Sequence, residues 1–363
     1  MAEFEGFDHY RPPEEPRRKR RKDGGTGKKS RRGEELMVPQ AQFEKFDSYY
    51  GKPIVKFPPW EWPIGAYFFL GGLAGGSSML AVGSRATGNK KLARNASLTT
   101  FAAAAAGSAL LVLDLGRPER LLNMFRVFKL SSPMNVGSWL LAGFSTLAAL
   151  PAVAEFDDLT NRQLPVPGVL RTVLHIAATP AGVAAGLLGS PLTAYTAVLL
   201  GDTSVPAWQA ARNELPALFV SSAACASGGA GLVTTSTAAN GPARKLAVAG
   251  AIADVISLRA VKNNIGEVMR ETLETGKAGH LLHAAELCTI GGGVVAAGAG
   301  RNRVAAAAAG VALMAGSCLT RFGILQAGHQ STSDPKYVVE PQRERLTTRV
   351  ESGGTGDSIT TAR

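Results

Sequence analysis

The feature that most constrains this chain is a series of apolar runs, each about 20 residues long and nearly free of charge, the length an α-helix needs to cross the hydrocarbon core of a bilayer. Windows of about 19 residues place eight of them, near 62–84, 95–115, 134–154, 169–200, 214–236, 243–260, 280–299 and 303–325. In lipid each backbone N–H and C=O must find its partner without water, so runs of this kind fold as helices. The expected fold class is all-α, a polytopic integral membrane protein of about eight transmembrane helices. An even number of crossings leaves both termini on the same side. The sixth run is the weakest, since Asp254 lies within it and Arg259 and Lys262 close it. The fourth is long enough that it must tilt or break, and Gly189-Ser190-Pro191 offers a break that neighbouring helices would have to satisfy.

Composition is an average over two materials. The 363 residues are 45% hydrophobic and 18% charged, with a formal net charge of +11 and a mean hydropathy of +0.07. The charge is concentrated at the ends, which divides the chain into a basic tail over 1–58, a membrane domain over 59–326 and a polar C-terminal tail over 327–363. This pattern excludes a soluble enzyme with one aqueous core and a wholly disordered chain. The basic run Arg17-Arg18-Lys19-Arg20-Arg21-Lys22 lies too far from the first span to orient it; it suits anionic headgroups of membrane lipid or a partner protein. Nucleic-acid binding is not expected of a chain with eight spans. Between Phe43 and Trp62 the tail becomes aromatic and proline-rich, with Tyr49, Tyr50, Phe57, Trp60 and Trp62, an interfacial anchor leading into the first helix.

Metal ligands are scarce. Cys225, Cys288 and Cys318 all fall inside apolar runs without a C-x-x-C pair, so no iron–sulfur cluster or structural zinc is expected in this chain. His175 begins the fourth span and His280 and His283 open the seventh, which puts them on opposite sides of a core about 30 Å thick. They cannot share one haem, which weighs against a dihaem cytochrome b-type anchor. A secondary transporter is the other rival, with Asp254, Glu286 and Arg321 as coupling residues or as a mutually paired network. The glycines at 71, 72, 75 and 76, and the pair Gly182 and Gly186, have the small-x-x-x-small spacing of close helix packing.

Polar residues at the rims of spans are the functional suspects, because each is costly in lipid without water, a partner or a ligand. Tyr67 lies early in the first span, Asp114 ends the second, and Tyr195 is near the end of the fourth. If spans alternate in direction, all three share one half of the membrane. Between spans two and three run L-D-L-G-R-P-E-R at 113–120, L-N-M-F-R-V-F-K at 122–129 after Leu121, and S-S-P-M-N-V-G-S-W at 131–139. The middle piece puts Leu121, Met124, Phe125 and Phe128 on one face, which predicts an interfacial amphipathic helix beside the three polar residues. Such a site could bind an amphiphile with a polar head, for example a quinone, whose reduction needs protons that Asp114 could relay. Asp114 could equally cap the loop or pair with Arg117 or Arg120.

These motifs resemble the NrfD/PsrC-like membrane subunits of polysulfide reductase and related respiratory complexes. Further matches are Y-F-F-L-G-G-L-A-G-G-S at 67–77, A-Y-T-A-V-L-L at 194–200, P-A-L-F-V-S-S-A at 216–223 and C-L-T-R-F-G-I-L-Q-A-G-H at 318–329, so the resemblance spans about residues 60–330. It implies a quinone-reactive anchor in the bacterial cytoplasmic membrane that carries no haem and no iron–sulfur cluster of its own. Electrons would pass between menaquinone or ubiquinone and a ferredoxin-like iron–sulfur subunit, itself bound to a molybdopterin catalytic subunit. Carried over by position, Tyr67 faces the quinone head, Asp114 closes the second helix and Tyr195 stands near the same pocket; on this reading Tyr67 and Tyr195, with Arg117, would hold the head group, Asp114 would manage its proton, and Trp62 and Trp139 would line the interface. Ile64 and Ala197 depart from the family pattern, where a polar ligand and a glycine are found in other members.

Overall fold

The structure, a computed structural model, describes residues 53–351 apart from 116, 117, 164 and 166. The basic run, Tyr49, Tyr50 and Arg117 therefore lie outside the described residues. The elements are α1 (Trp62–Ala86), α2 (Lys90–Asp114), a 3-10 helix (Pro118–Phe125), α3 (Pro133–Leu159), α4 (Gly168–Gly201), α5 (Pro206–Ala210), α6 (Leu215–Thr234), α7 (Gly241–Asn264), α8 (Glu267–Glu274), α9 (Gly276–Gly298), α10 (Arg303–Ser333) and α11 (Lys336–Glu351). There is no strand among the described residues, and the fold is all-helical as the apolar runs require.

Among the described residues seven helices are long and apolar enough to cross a membrane: α1, α2, α3, α4, α6, α9 and α10. The eighth expected span, α7, has 24 residues and is about 36 Å long at the α-helical rise. It falls short on apolarity alone, for the reason its sequence gives, yet it travels the length of the bundle. Near its start Ala243 packs with Leu80 and Leu92; near its end Leu258 and Val261 join the cluster of Ile64, Tyr67 and Phe68. Its acidic Asp254 faces protein, at 2% exposure, so α7 presents its charge inward and Ile252 and Ile256 outward.

One core cluster fixes an end of the bundle. It joins the start of α1, the end of α4, the starts of α6 and α9, and the end of α10 (Ile324, Leu325, Ala327), with Tyr337 of α11. The first and last described segments therefore meet at the same end. Helix ends follow local chemistry: Asn89 and Asn302 accept backbone N–H groups of α2 and α10 through their side chains, and Pro133 occupies the first turn of α3 beside its Ser132 cap.

Three expectations are corrected. First, α4 does not break at Gly189-Ser190-Pro191 but continues from Gly168 to Gly201 with Pro180 and Pro191 inside it. Gly189 serves a close crossing instead: a Cβ on Gly75 of α1 would come 2.6 Å from the Gly189 carbonyl oxygen. At about 51 Å, α4 exceeds a hydrocarbon core of about 30 Å and must tilt or project beyond it. Second, the piece expected as an amphipathic helix does turn, but as a 3-10 helix that ends at Phe125 and leaves Phe128 beyond it. Asn135 decides this, for its Oδ1 accepts the Lys129 N–H at 2.8 Å and its Nδ2 donates to the Met124 carbonyl at 2.9 Å, holding the chain away from a further helical turn. Third, α10 runs past residue 326 to Ser333, with Ala327, Gly328 and Ser331 buried. The Trp208 indole lies where a Gly328 side chain would be, and its Nε1 donates to the Ile324 carbonyl at 2.7 Å.

Candidate functional site

At the end of the bundle marked by Ile64, Tyr67 and Phe68, the first four helices enclose a cavity of about 330 Å³. Its walls are built from helical stripes. Trp60, Ile64, Tyr67 and Phe68 come from the approach to α1 and its first turns; Ser108, Leu111 and Leu115 with Val112 and Asp114 from the last turns of α2; Met134, Gly137, Ser138, Leu141, Ala142 and Ser145 from α3; Tyr195 and Leu199 from α4. The spacings of three and four are those of one helix face. The 3-10 helix closes the cavity with Leu121, Met124 and Phe125. Thus the loop forms a lid, though by a tighter turn than the amphipathic pattern predicts.

The three polar residues expected on one membrane half do meet. Tyr67 is 4% exposed, with Phe68 beside it, and Gly107 of α2 leaves room for its ring. Tyr195 donates its hydroxyl to the Pro133 carbonyl at 2.9 Å, and its ring fills the space over Gly137, where any Cβ would overlap it. Asp114 stands at the rim, exposed, as the last residue of α2. Three serines, Ser108, Ser138 and Ser145, also line the cavity, and the Ser145 hydroxyl is buried with no hydrogen-bond partner among the described residues. Its only signal is a serine eleven positions beyond Met134 on the same stripe, visible once the face is known.

The two tryptophans expected at the site do not line it. Trp62 is 62% exposed at the first turn of α1 and points away, while Trp60, two residues earlier, lines the cavity and stacks on Trp208 at 5.3 Å. Trp139 stands behind the lid, edge-on to Phe125 at 5.4 Å and to Phe128 at 6.0 Å. The rotation of each helix turns both tryptophans away from the cavity.

Elsewhere in the bundle Asp254, Glu286 and Arg321 make no direct ion pair or hydrogen bond with one another among the described residues, although the charges of Asp254 and Arg321 act on each other. Glu286 turns to Arg259 at 3.8 Å and Lys262 at 3.7 Å. Arg321 is fully buried; its Nη2 donates to the Phe219 carbonyl at 2.6 Å and its guanidinium lies 3.8 Å from the centre of the Phe219 ring. Asp254 Oδ1 and the Nε and Nη1 of Arg321 have no hydrogen-bond partner among the described residues. At the opposite end of the bundle from the cavity, buried Asp157 meets Arg171 at 3.0 Å and His175 at 3.2 Å, and Arg85 pairs with Glu155 at 2.8 Å. His280 and His283 open α9 at the cavity end, so the three histidines are separated as the span order implies. Among the described residues no three His, Cys, Asp or Glu side chains gather as a metal-ligand set.

A half-open, mostly apolar cavity with a few convergent hydroxyls and a carboxylate at its mouth is the form a site takes for an amphiphile with a small polar head. No curated protein matches the chain. The family described as Polysulphide reductase, NrfD matches residues 54–266, from the approach to α1 through α7, so the motif at 318–329 lies beyond the match. That match covers more than half of the chain, and with four helices of the matched region building the cavity, the chain belongs to the NrfD family, membrane subunits of quinone-linked oxidoreductase complexes.

Proposed function

We propose that the protein is the quinone-reactive membrane subunit of a bacterial respiratory oxidoreductase, set in the cytoplasmic membrane and exchanging electrons with a partner iron–sulfur subunit that serves a molybdopterin catalytic subunit. The observation that carries this reading is the convergence of Tyr67, Tyr195 and Asp114 from three helices on one apolar cavity. The family's usual association with iron–sulfur and molybdopterin subunits supports the partner assignment. The chain's own residues fit a quinone head. The cavity volume lies within the range of small-ligand sites, its walls are mostly apolar, and Ser145 offers a buried hydroxyl with no protein partner.

A bound menaquinone or ubiquinone supplies the two-electron, two-proton exchange that the chain's side chains cannot perform. The protein contributes position and protons. Tyr67 and Tyr195 hold the head group by hydrogen bonds, the stripe of Leu111, Leu141 and Leu199 excludes water, and Asp114 passes protons between the cavity mouth and solvent. Its exposed position suits that role better than a contact deep in the pocket.

The test is a gentle-detergent purification of the tagged chain with its partners, followed by quinone turnover of the wild type and of Asp114→Asn. Iron–sulfur and molybdopterin subunits with extractable quinone are expected in the preparation. Asp114→Asn is expected to leave the complex assembled and to slow turnover roughly a hundredfold. Unchanged turnover would remove the proton role from Asp114, and a chain that purifies alone without quinone would overturn the reading.

A further inference from the structure

The two tyrosines of the cavity are not equivalent, and the difference lies in α3. A carbonyl oxygen has two lone pairs but no proton, so in the contact between Tyr195 and Pro133 the tyrosine must be the donor. Pro133 opens α3 and Gly137 sits one turn later on the same face, where the absence of a side chain lets the Tyr195 ring settle against the helix. With its single proton engaged, the Tyr195 hydroxyl can offer the cavity only a lone pair. Tyr67 also lines the cavity; its hydroxyl makes no hydrogen bond among the described residues and can rotate to donate or accept.

The geometry points to a division of labour in which Tyr195, oriented by Gly137 and the Pro133 carbonyl, is an acceptor-only contact that recognises the reduced, hydroxyl-bearing form of the quinone, while Tyr67 serves both forms. This rests on the quinone reading above. An oxidised head group presents carbonyl oxygens alone and gains nothing from an oxygen lone pair; a reduced one presents O–H donors that match it. Gly137 is then a positioning residue, acting through Tyr195.

The test is equilibrium binding, with the purified complex dialysed anaerobically against menadione and, separately, against menadiol. Loss of one hydrogen bond in Tyr195→Phe is expected to weaken menadiol binding roughly three- to tenfold and menadione binding less than twofold. A tenfold change in that ratio lowers the potential of the bound couple by about 30 mV, which a redox titration reads independently of turnover. Tyr67→Phe is expected to weaken both forms. Gly137→Ala should also lower the preference for menadiol, because the displaced tyrosine leaves Pro133 and regains a free donor; bulk alone would weaken both forms together and leave the ratio unchanged. The two variants at the tyrosine contact act through different atoms, so either carries the test if the other does not assemble. Equal weakening of both forms in Tyr195→Phe, selective loss of menadione, or no change in either would overturn the division and leave the site reading intact. Failure of the unmodified complex to bind menadione or menadiol would overturn the site reading itself, and the division with it.

Discussion

The two halves of the bundle handle polarity in opposite ways. In α1 to α4 the polar groups stand at the helix ends with partners or solvent: at the cavity Asp114 reaches solvent and Tyr195 finds a backbone acceptor, and at the far end Asp157 meets Arg171 and His175 while Arg85 pairs with Glu155. In α6, α7, α9 and α10 the polar groups are sealed: Arg321 and Asp254 are buried, and several of their atoms lack partners among the described residues. The first half keeps its polar groups at helix ends, where solvent or a partner meets them at a small local cost, whereas the second half bears its polarity as a structural commitment. A side chain at a helix end can be changed without repacking the bundle; one in the middle of four helices cannot.

The sharpest way to break this comparison is at Arg321. Arg321→Met removes the bond to the Phe219 carbonyl and the contact with its ring, and takes away the cation whose charge acts on Asp254. A loss of about 3 kcal/mol is expected, read as a lower thermal midpoint of the detergent-solubilised complex. Adding Asp254→Asn should recover part of that loss. Strictly additive losses in the double variant would mean that the two groups do not sense each other.

The corresponding change in the first half is smaller and local. Asn135→Ala removes both bonds that hold the lid and is expected to cost about 1–2 kcal/mol. Faster hydrogen exchange should be confined to residues 118–130, with weaker menadione binding; exchange spreading through α1 and α4 would contradict the local picture. Ser145→Ala is smaller still. Because its hydroxyl has no protein partner, the thermal midpoint should stay level or rise slightly, while a fall in menadione affinity would place the head group as deep as that residue.

The smallest effect is expected outside the membrane, at α11. Lys336 donates to Glu271 at 2.6 Å, and this hydrogen bond pushes the lysine's pKa above its ordinary value. A raised folded value means that the contribution is present below the unfolded lysine value of about 10.4 and is lost as pH rises through the folded one. Circular dichroism and hydrogen exchange should therefore show α11 unchanged near neutrality and fraying only in strong alkali or high salt. Fraying between pH 6 and 8 would show that something other than this pair holds the helix.

Much of this architecture is legible in the sequence, and the reason is local. A run such as 62–84 is helical because lipid leaves the backbone no alternative, and Asn89, Pro133 and Asn302 set helix ends through bonds and restrictions within a few residues. Alternation of spans then suffices to put Tyr67, Asp114 and Tyr195 at one end, since it depends only on the order of helices. Position along a helix axis, at about 1.5 Å per residue, is a property of sequence.

Rotation about that axis is not. Whether Trp60 or Trp62 lines the cavity, whether Gly189 breaks α4 or lets α1 cross it, and whether Arg321 meets Asp254 or the Phe219 carbonyl all depend on which faces neighbouring helices present. The same holds for Asn135, whose two bonds across the turn decide the form of the lid. The sequence by itself determined an all-helical membrane protein with Tyr67, Asp114 and Tyr195 at one end. Only the tertiary structure decided which of them share a cavity and which way their protons point, because those choices are made by close packing between segments distant in the chain.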